Sequence, residues 1–475
     1  MKKSFIQLSV IQIAIVMQIA VIILPSFSFA QYAKLHDFSD AYLGINPKGN
    51  LVSDGTFLYG MTFYGGKKKC GVIFKIMPDG SGYSKLLDFD STGRSSGSYP
   101  TGSLITIGNF IYGMTGHGGS CNRGIIFKIK NDGTGYSKIY DFSGKENGSS
   151  PMGSLIWDGT FLYGMTEYGG LYNCGIIFKI KPDGTGYAKL LDFTGTENGS
   201  NPKGDLLFDG TFLYGMTAMG GTNNLGVIFK IMPNGTGYSK LLTFSKSPNG
   251  NTPFGSLISD GKFLYGMTSF GGTENNGTIF KIKPDGSGYL KLLDFAGYRN
   301  GGLPFGSLVS DGTSLYGMAG QGNRDMGIIF KIQPDGTGFS SLFVFSGAAD
   351  GKGPRGSLFL QEKFLYGMTA SGGAGNMGAV FKYGILGIVD ENNEGDVFNI
   401  IPNSTKGMYI IETKENDCTL TITDVLGKNI YQPRIIPIVG GTKNEIDISK
   451  QPKGTYLLNF KAKNGTYSQM RIIYK

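Results

Sequence analysis

An aspartate followed by glycine stands at Asp54, Asp158, Asp209, Asp260 and Asp311, and two such carboxylates facing across a cleft would be equipment for general acid–base hydrolysis. Their setting argues for a different task. Each Asp-Gly pair separates two apolar, β-branched runs, where a tight hairpin needs an Asp to cap its turn and a Gly to accept positive φ. No catalytic residue is therefore assigned. The two histidines, His36 and His117, neither recur nor stand at metal-ligand spacing, and Gly-Gly pairs such as Gly65-Gly66 lack the strand-to-helix setting of a phosphate loop. No metal and no cofactor are expected. Cys70, Cys121 and Cys174 fall in equivalent loops; a disulfide between neighbouring loops and free thiols both remain open. The Asn-Gly-Ser/Thr triplets at Asn147, Asn198, Asn234, Asn276 and Asn464 read as turns.

The elements that position these residues follow from a repeat. Tyr-Gly-Met-Thr begins at Tyr59, Tyr112, Tyr163, Tyr214, Tyr265, Tyr316 (ending in Ala319) and Tyr366, at intervals of 53, 51, 51, 51, 51 and 50 residues. A fixed period of this length marks a repeat architecture. Residues 204–244 show one unit: four short runs rich in aromatic and β-branched residues, which read as antiparallel strands a, b, c and d. Asp209-Gly210 joins a to b, and Pro233-Asn234-Gly235 joins c to d. Strands b and c are apolar on both faces, as expected when each small sheet lies between two others. Radial stacking of such sheets is a β-propeller. In this reading Tyr-Gly-Met-Thr is strand b, its Gly allowing close backbone approach between stacked sheets while Tyr and Met fill the space between them.

Strand d follows each of the first six a-b-c sets but is missing after the seventh, and a matching run, Tyr-Ala-Lys-Leu-His-Asp-Phe, occupies residues 32–38. The first strand thus completes the last blade and removes the exposed sheet edges. The predicted fold is all-β: a seven-bladed β-propeller closed by an N-terminal strand, followed by a small C-terminal β-sandwich.

Strand order also sorts the loops. The a-b and c-d turns share one face and are nearly uniform, whereas the b-c and d-a loops share the other and differ from copy to copy. On this variable face the residue before the loop glycines is Tyr64, His117, Tyr168, Met219 and Phe270 in the first five blades. These are the candidate ligand-binding residues, since aromatic rings stack on sugars or on a protein partner; packing on their own loop is the competing reading.

At the N-terminus Lys2 and Lys3 precede an apolar run over 5–24, Pro25 and the small-residue end Ser28-Phe29-Ala30. This is the layout of a secretory signal, residues 1–30, with cleavage after Ala30. No other segment is apolar enough to span a membrane, and no Cys near the cleavage point offers a lipid anchor. The net charge of +9 falls to +7 when Lys2 and Lys3 leave. Much of the excess is one strand-c lysine per repeat, Lys75, Lys128, Lys179, Lys230, Lys281, Lys331 and Lys382. Spread around the molecule as solvated strand edges, these make no nucleic-acid patch.

The recurring Gly-Ser-Leu-Ile, Leu-Tyr-Gly-Met-Thr, Gly-Gly, Gly-Ile-Ile-Phe-Lys-Ile, Pro-Asp-Gly, Leu-Leu-Asp-Phe and Asn-Gly with Pro resemble the GloVer-type tandem repeat of bacterial exported proteins, over roughly residues 32–383. That family more often has Thr where this chain has Met, and membership implies neither an activity nor a ligand. Residues 31–384 form the repeat region. After a polar linker over 385–396, the segment 397–475 carries Phe-Asn-Ile-Ile-Pro402-Asn403, Thr-Asp-Val-Leu-Gly427-Lys, Ile-Asp-Ile-Ser and Lys-Gly454-Thr-Tyr456-Leu-Leu. These resemble, in order, the type A sorting domain of type IX secretion, with Ser404 where a second Pro is usual. The resemblance implies the type IX machinery as a partner, passage across the outer membrane of a Gram-negative cell, and a secreted or surface location. Two functions are consistent with these features: a non-catalytic binding or adhesion module for an extracellular glycan or protein, and, by analogy with other propellers alone, a secreted carbohydrate-active or hydrolytic enzyme with its site at the propeller mouth.

Overall fold

The computed structural model describes residues 32–91, 96–245, 249–322 and 325–385, together with strand segments between 398 and 474. The signal segment, the linker beyond Ile385, Asn403 and Gly427 lie outside the described residues. Seven antiparallel four-stranded sheets make up the repeat region. In the fourth blade they are Leu207–Phe208, Leu213–Thr217, Val227–Ile231 and Ser239–Thr243, paired in that order. Strand a has only two residues in five of the seven blades.

The closing strand is as expected. Tyr32–Asp37 pairs antiparallel with Ala379–Gly384 and supplies the outer strand of the seventh sheet. Aromatic stacks wedge it against both neighbouring blades. Tyr32 lies 4.1 Å from Phe343 at an interplanar angle of 3°, and its hydroxyl donates to the Asp350 carbonyl at 2.6 Å. His36 stacks on Tyr83 at 3.8 Å, and burial pushes its pKa down to about 4. His36 is thus a neutral packing ring.

Alternate residues of each strand b face opposite neighbours. Leu213, with Phe229 and Ile231, packs back against Tyr163 and Met165, whereas Tyr214 and Met216 pack forward against Leu264, Phe280 and Ile282. At about 1.5–3 kcal/mol for each fully buried large apolar side chain, these interfaces outweigh the two-residue inner strands in holding the ring together. Gly215 has a different reason from the expected one. A Cβ there would lie 2.5 Å from Cζ of Phe229, its cross-strand partner. The glycine makes room for an aromatic ring of its own sheet, and the three nearest atoms, of Phe229 and Leu206, are side-chain atoms of its own blade.

The turn aspartates bind more than their turns. Asp209 Oδ1 accepts from the Thr211 and Phe212 N–H groups at 2.8 Å each, and Oδ2 accepts from the Tyr214 hydroxyl at 2.9 Å. Burial works the other way, but these donors hold the carboxyl below the usual range. Asp54, Asp158, Asp260 and Asp311 likewise accept from Tyr59, Tyr163, Tyr265 and Tyr316.

The strand-c lysines differ from expectation. Lys230 Nζ sits 4.7 Å from the Phe212 ring centre and donates to the Pro284 carbonyl of the next blade at 3.2 Å. Lys179 and Lys281 do the same with Pro233 and Pro334. Strand c lies inside its sheet, so the alkyl stem covers an aromatic ring while the ammonium ties adjacent blades. Cys70 is buried, Cys121 exposed and Cys174 half-buried, all as free thiols.

Residues Gln31–Leu386 form one compact unit, and the segment from Gly387 belongs to another. The latter holds a three-stranded sheet of Phe398–Pro402, Met408–Thr413 and Lys443–Asp447. It also holds a four-stranded sheet ordered Asn429–Ile436, Cys418–Asp424, Gly454–Lys461, Tyr467–Tyr474. Pro402 ends the first of these strands, and Gly454 begins the strand that carries the buried Tyr456. Among the described residues no helix is long and apolar enough to cross a membrane.

Candidate functional site

Just before each inner strand the chain reads X-Gly-Ser, with Asn50 and Asp205 replacing Ser in blades one and four. Ring closure turns this modest pattern into a circle. The Asn50 N–H donates to Ser103 Oγ at 2.7 Å, Ser103 N–H to Ser154 Oγ at 2.8 Å, and Ser154 N–H to Asp205 Oδ1 at 2.5 Å. The Asp205 N–H donates to Ser256 Oγ, Ser256 N–H to Ser307 Oγ, and Ser307 N–H to Ser357 Oγ, each at 2.7 Å. The Ser357 N–H returns to Asn50 Oδ1 at 2.5 Å. The preceding glycines are compelled by the same geometry. A Cβ on any of the seven would stand 2.1–2.3 Å from the carbonyl oxygen of the next blade's glycine.

Asp205 is the one acid in this circle. Desolvation pushes its carboxyl pKa up, although hydrogen bonds from Ser154 and Ser256 oppose the shift. With the folded pKa raised above the unfolded value of ~3.9, the penalty is absent below about pH 4 and appears as pH rises through the folded value. Asp205→Ser is therefore expected to stabilise the protein by about 1 kcal/mol at pH 7 and to change little near pH 3.5, as read from urea midpoints. An equal gain at both pH values would refute the assignment.

The X residues line a cavity of about 260 Å³ at the channel mouth, on the variable-loop face where each strand a begins. They are Lys48, Thr101, Met152, Lys203, Phe254, Phe305 and Arg355. Five of them form an arc. Lys203 pairs with the buried Glu167 at 2.5 Å and lies 5.2 Å from the Phe254 ring centre. Phe254 meets Phe305 edge to face at 5.4 Å, and the Arg355 guanidinium lies 5.1 Å from the Phe305 ring. Lys48, on the next blade, sits 3.2 Å over the Phe63 ring. Burial, and then the nearby Arg355 charge, push the Lys48 pKa down to about 8. Among the described residues neither Lys48 nor Arg355 has a carboxylate within 4.0 Å.

The residues singled out from sequence lie further out on the same face. Tyr64, Tyr168 and Met219 are 40–46% exposed, His117 is exposed, and Phe270 is half-buried. Tyr64 and His117 are brought together by Tyr99, each 5.7 Å from its ring, with Phe63 completing the cluster. All five pair through their backbones with their own entering loops, Tyr64 with Ile45, His117 with Ser98, and Tyr168, Met219 and Phe270 with Ser149, Ser200 and Asn251. The Glu167 carboxylate, and then burial, raise the Tyr168 pKa. Exposed Tyr42, Tyr172 and Tyr298 belong to the same face but stand outside the register before the loop glycines. The X residues were also missed. Their signal is a position that changes in every blade while the following glycine does not.

Seven blades around a channel, closed by the first strand and varied only on one loop face, define a β-propeller of tandem-repeat type. The chain belongs to the Gloeobacter/Verrucomicrobia repeat family, which it matches over residues 24–170 and 146–325. Residues 399–475 match the secretion system C-terminal sorting domain, so the protein is exported, to the cell surface or beyond. Among solved structures the chain is similar to the GH74 xyloglucanase from Xanthomonas campestris, with 10% identity and a TM-score of 0.51 over 92% of this chain and 67% of that one. It is also similar to PorZ, a surface component of the type IX secretion system of Porphyromonas gingivalis, with 13% identity and a TM-score of 0.46 over 89% of this chain. A puromycin-hydrolysing peptidase of Mycobacterium tuberculosis matches with 10% identity and a TM-score of 0.48 over 80% of this chain and 60% of that one. The chain spans 58% of the length of PorZ, and likeness at these identities concerns the fold alone. No curated protein matches the sequence.

Proposed function

We propose that the propeller is a non-catalytic binding or adhesion module whose variable loop face engages an extracellular glycan or protein, while the C-terminal domain directs type IX secretion and residues 1–30 direct the earlier export step. The observation that carries this reading is the gathering of exposed aromatic side chains on that face: Tyr42, Tyr64, Tyr168, Tyr172 and Tyr298. Flat rings with one wet edge are suited to stacking on sugars and to protein contacts. The a-b and c-d turns opposite are built for hairpin geometry and repeat with little change.

A glycan array probed with the chain from Gln31 onward tests it. Binding without turnover is expected, and Tyr64, Tyr168 and Phe270 replaced together by alanine should weaken it at least tenfold. Unchanged binding by that variant would discard this choice of face, and product formation would discard the non-catalytic reading.

A further inference from the structure

The channel mouth holds two cations that rest on aromatic rings, Lys48 on Phe63 and Arg355 on Phe305, and that no carboxylate among the described residues pairs with. Several lysines of the propeller have a polar partner: Lys34, Lys85, Lys138, Lys189 and Lys291 each pair with the Asp three residues on. Lys179, Lys230 and Lys281 reach carbonyls of the next blade. Lys203 has Glu167. Lys48 and Arg355 instead line the same cavity of about 260 Å³ at the junction of blades one and seven, two cations close enough for the Arg355 charge to be felt at Lys48. Half-burying one of two like charges costs free energy that packing alone does not return.

We propose that this mouth is a subsite for one carboxylate-bearing sugar residue, a hexuronate at the end or on a branch of an acidic polysaccharide, a proposal that rests on reading the loop face as the recognition surface. The Arg355 fork takes the planar carboxylate through two parallel N–H donors, and the Lys48 ammonium adds a point charge. Phe254 and Phe305, edge to face at 5.4 Å, supply an apolar wall for the C–H face of a sugar ring, a feature that a bare inorganic anion would not use. The cavity lies just under the range of drug-sized sites, roughly 300–1,000 Å³, which suits a single ring. An acidic peptide fits less well. The N–H groups beneath the mouth, from Asn50 round to Ser357, already donate to the next blade, so no free strand edge offers backbone pairing.

Calorimetric titration of the chain from Gln31 onward with D-glucuronate, its methyl ester and hexaglutamate tests the proposal. Saturable binding of glucuronate is expected, at least tenfold weaker for the ester, whose carboxylate is masked. Lys48→Gln and Arg355→Gln should each cost tenfold or more, with unchanged thermal midpoints showing that the fold survives. Arg355→Lys, which keeps the charge and loses the fork, should fall between. Equal binding of acid and ester, glucuronate binding indifferent to both Gln variants, or binding of hexaglutamate in place of glucuronate would each overturn the proposal. The two readings fail separately. Array binding that is lost in the Tyr64/Tyr168/Phe270 variant but unaffected by Lys48→Gln and Arg355→Gln leaves the loop face standing and removes the subsite. Glucuronate binding with no glycan polymer captured does the reverse.

Discussion

Gly153→Ala is expected to destabilise the propeller by about 3 kcal/mol or more, at the upper end of the usual cost of overpacking. The added methyl would lie 2.3 Å from the Gly204 carbonyl oxygen and 3.0 Å from Asp205 Oδ1. The obstacle is backbone, so no rotamer change relieves it. Displacing blade four outward would stretch the Ser154-to-Asp205 hydrogen bond and, through the closed circle, load the other six junctions. Gly116→Ala is the control. Its Cβ would meet the Tyr99 and Pro151 carbonyl oxygens at 3.5 and 3.9 Å, ordinary contact distances, with no positive φ to strain, so its effect should stay within about 0.5 kcal/mol. Denaturant midpoints of the two variants, measured side by side, decide the matter; equal midpoints would remove the ring of glycines as a structural determinant.

Removal of the closing strand should have the second large effect. A chain lacking residues up to Asp37 loses five paired positions with the strand Ala379–Gly384 and exposes that strand's edge. Exposed edges recruit other strands, so the truncated protein is expected to form oligomers in light scattering and to melt broadly. A peptide of residues 32–38 added in excess should restore the monomer. The single change Tyr32→Ala should cost about 2–3 kcal/mol, because it deletes the stack on Phe343 and the hydroxyl bond to Asp350 together. A truncated chain that stays monomeric with an unchanged melt would show that closure depends on the blade interfaces alone.

Both experiments test features that were legible to different degrees. The closing strand was readable because strand d is a recognisable run whose absence after Phe381 and presence at Tyr32 can be counted along the chain. The glycine circle was not, since Gly153 and Gly204 are 51 residues apart and nothing local says that their backbones touch. Lys230 was read as solvated because a single lysine in an apolar Phe-Lys-Ile run is by default a strand edge, and that run carries no information about the next blade's turn. Gly215 was rightly placed in strand b, yet the ring of Phe229 that fills its space appears only once the register of the two strands is fixed.

The candidate site divides in the same way. Copies compared within one chain pointed to the variable face, and Tyr64 with His117 does form an aromatic cluster there through Tyr99. The arc from Lys203 to Lys48 went unseen because each member occupies a different repeat, and single residues before a recurring Gly carry no chemical motif.

By itself the sequence determined the blade count, the order of strands within each blade, the closing strand and the sorting domain. The first three follow from local periodicity and turn chemistry repeated seven times, and the sorting domain from the resemblance of its motifs to a known family. Only the tertiary structure decided which glycines are compelled, which lysines are partnered and which residues share the channel mouth. Those properties depend on contacts between residues about fifty positions apart, which exist only when the last blade meets the first.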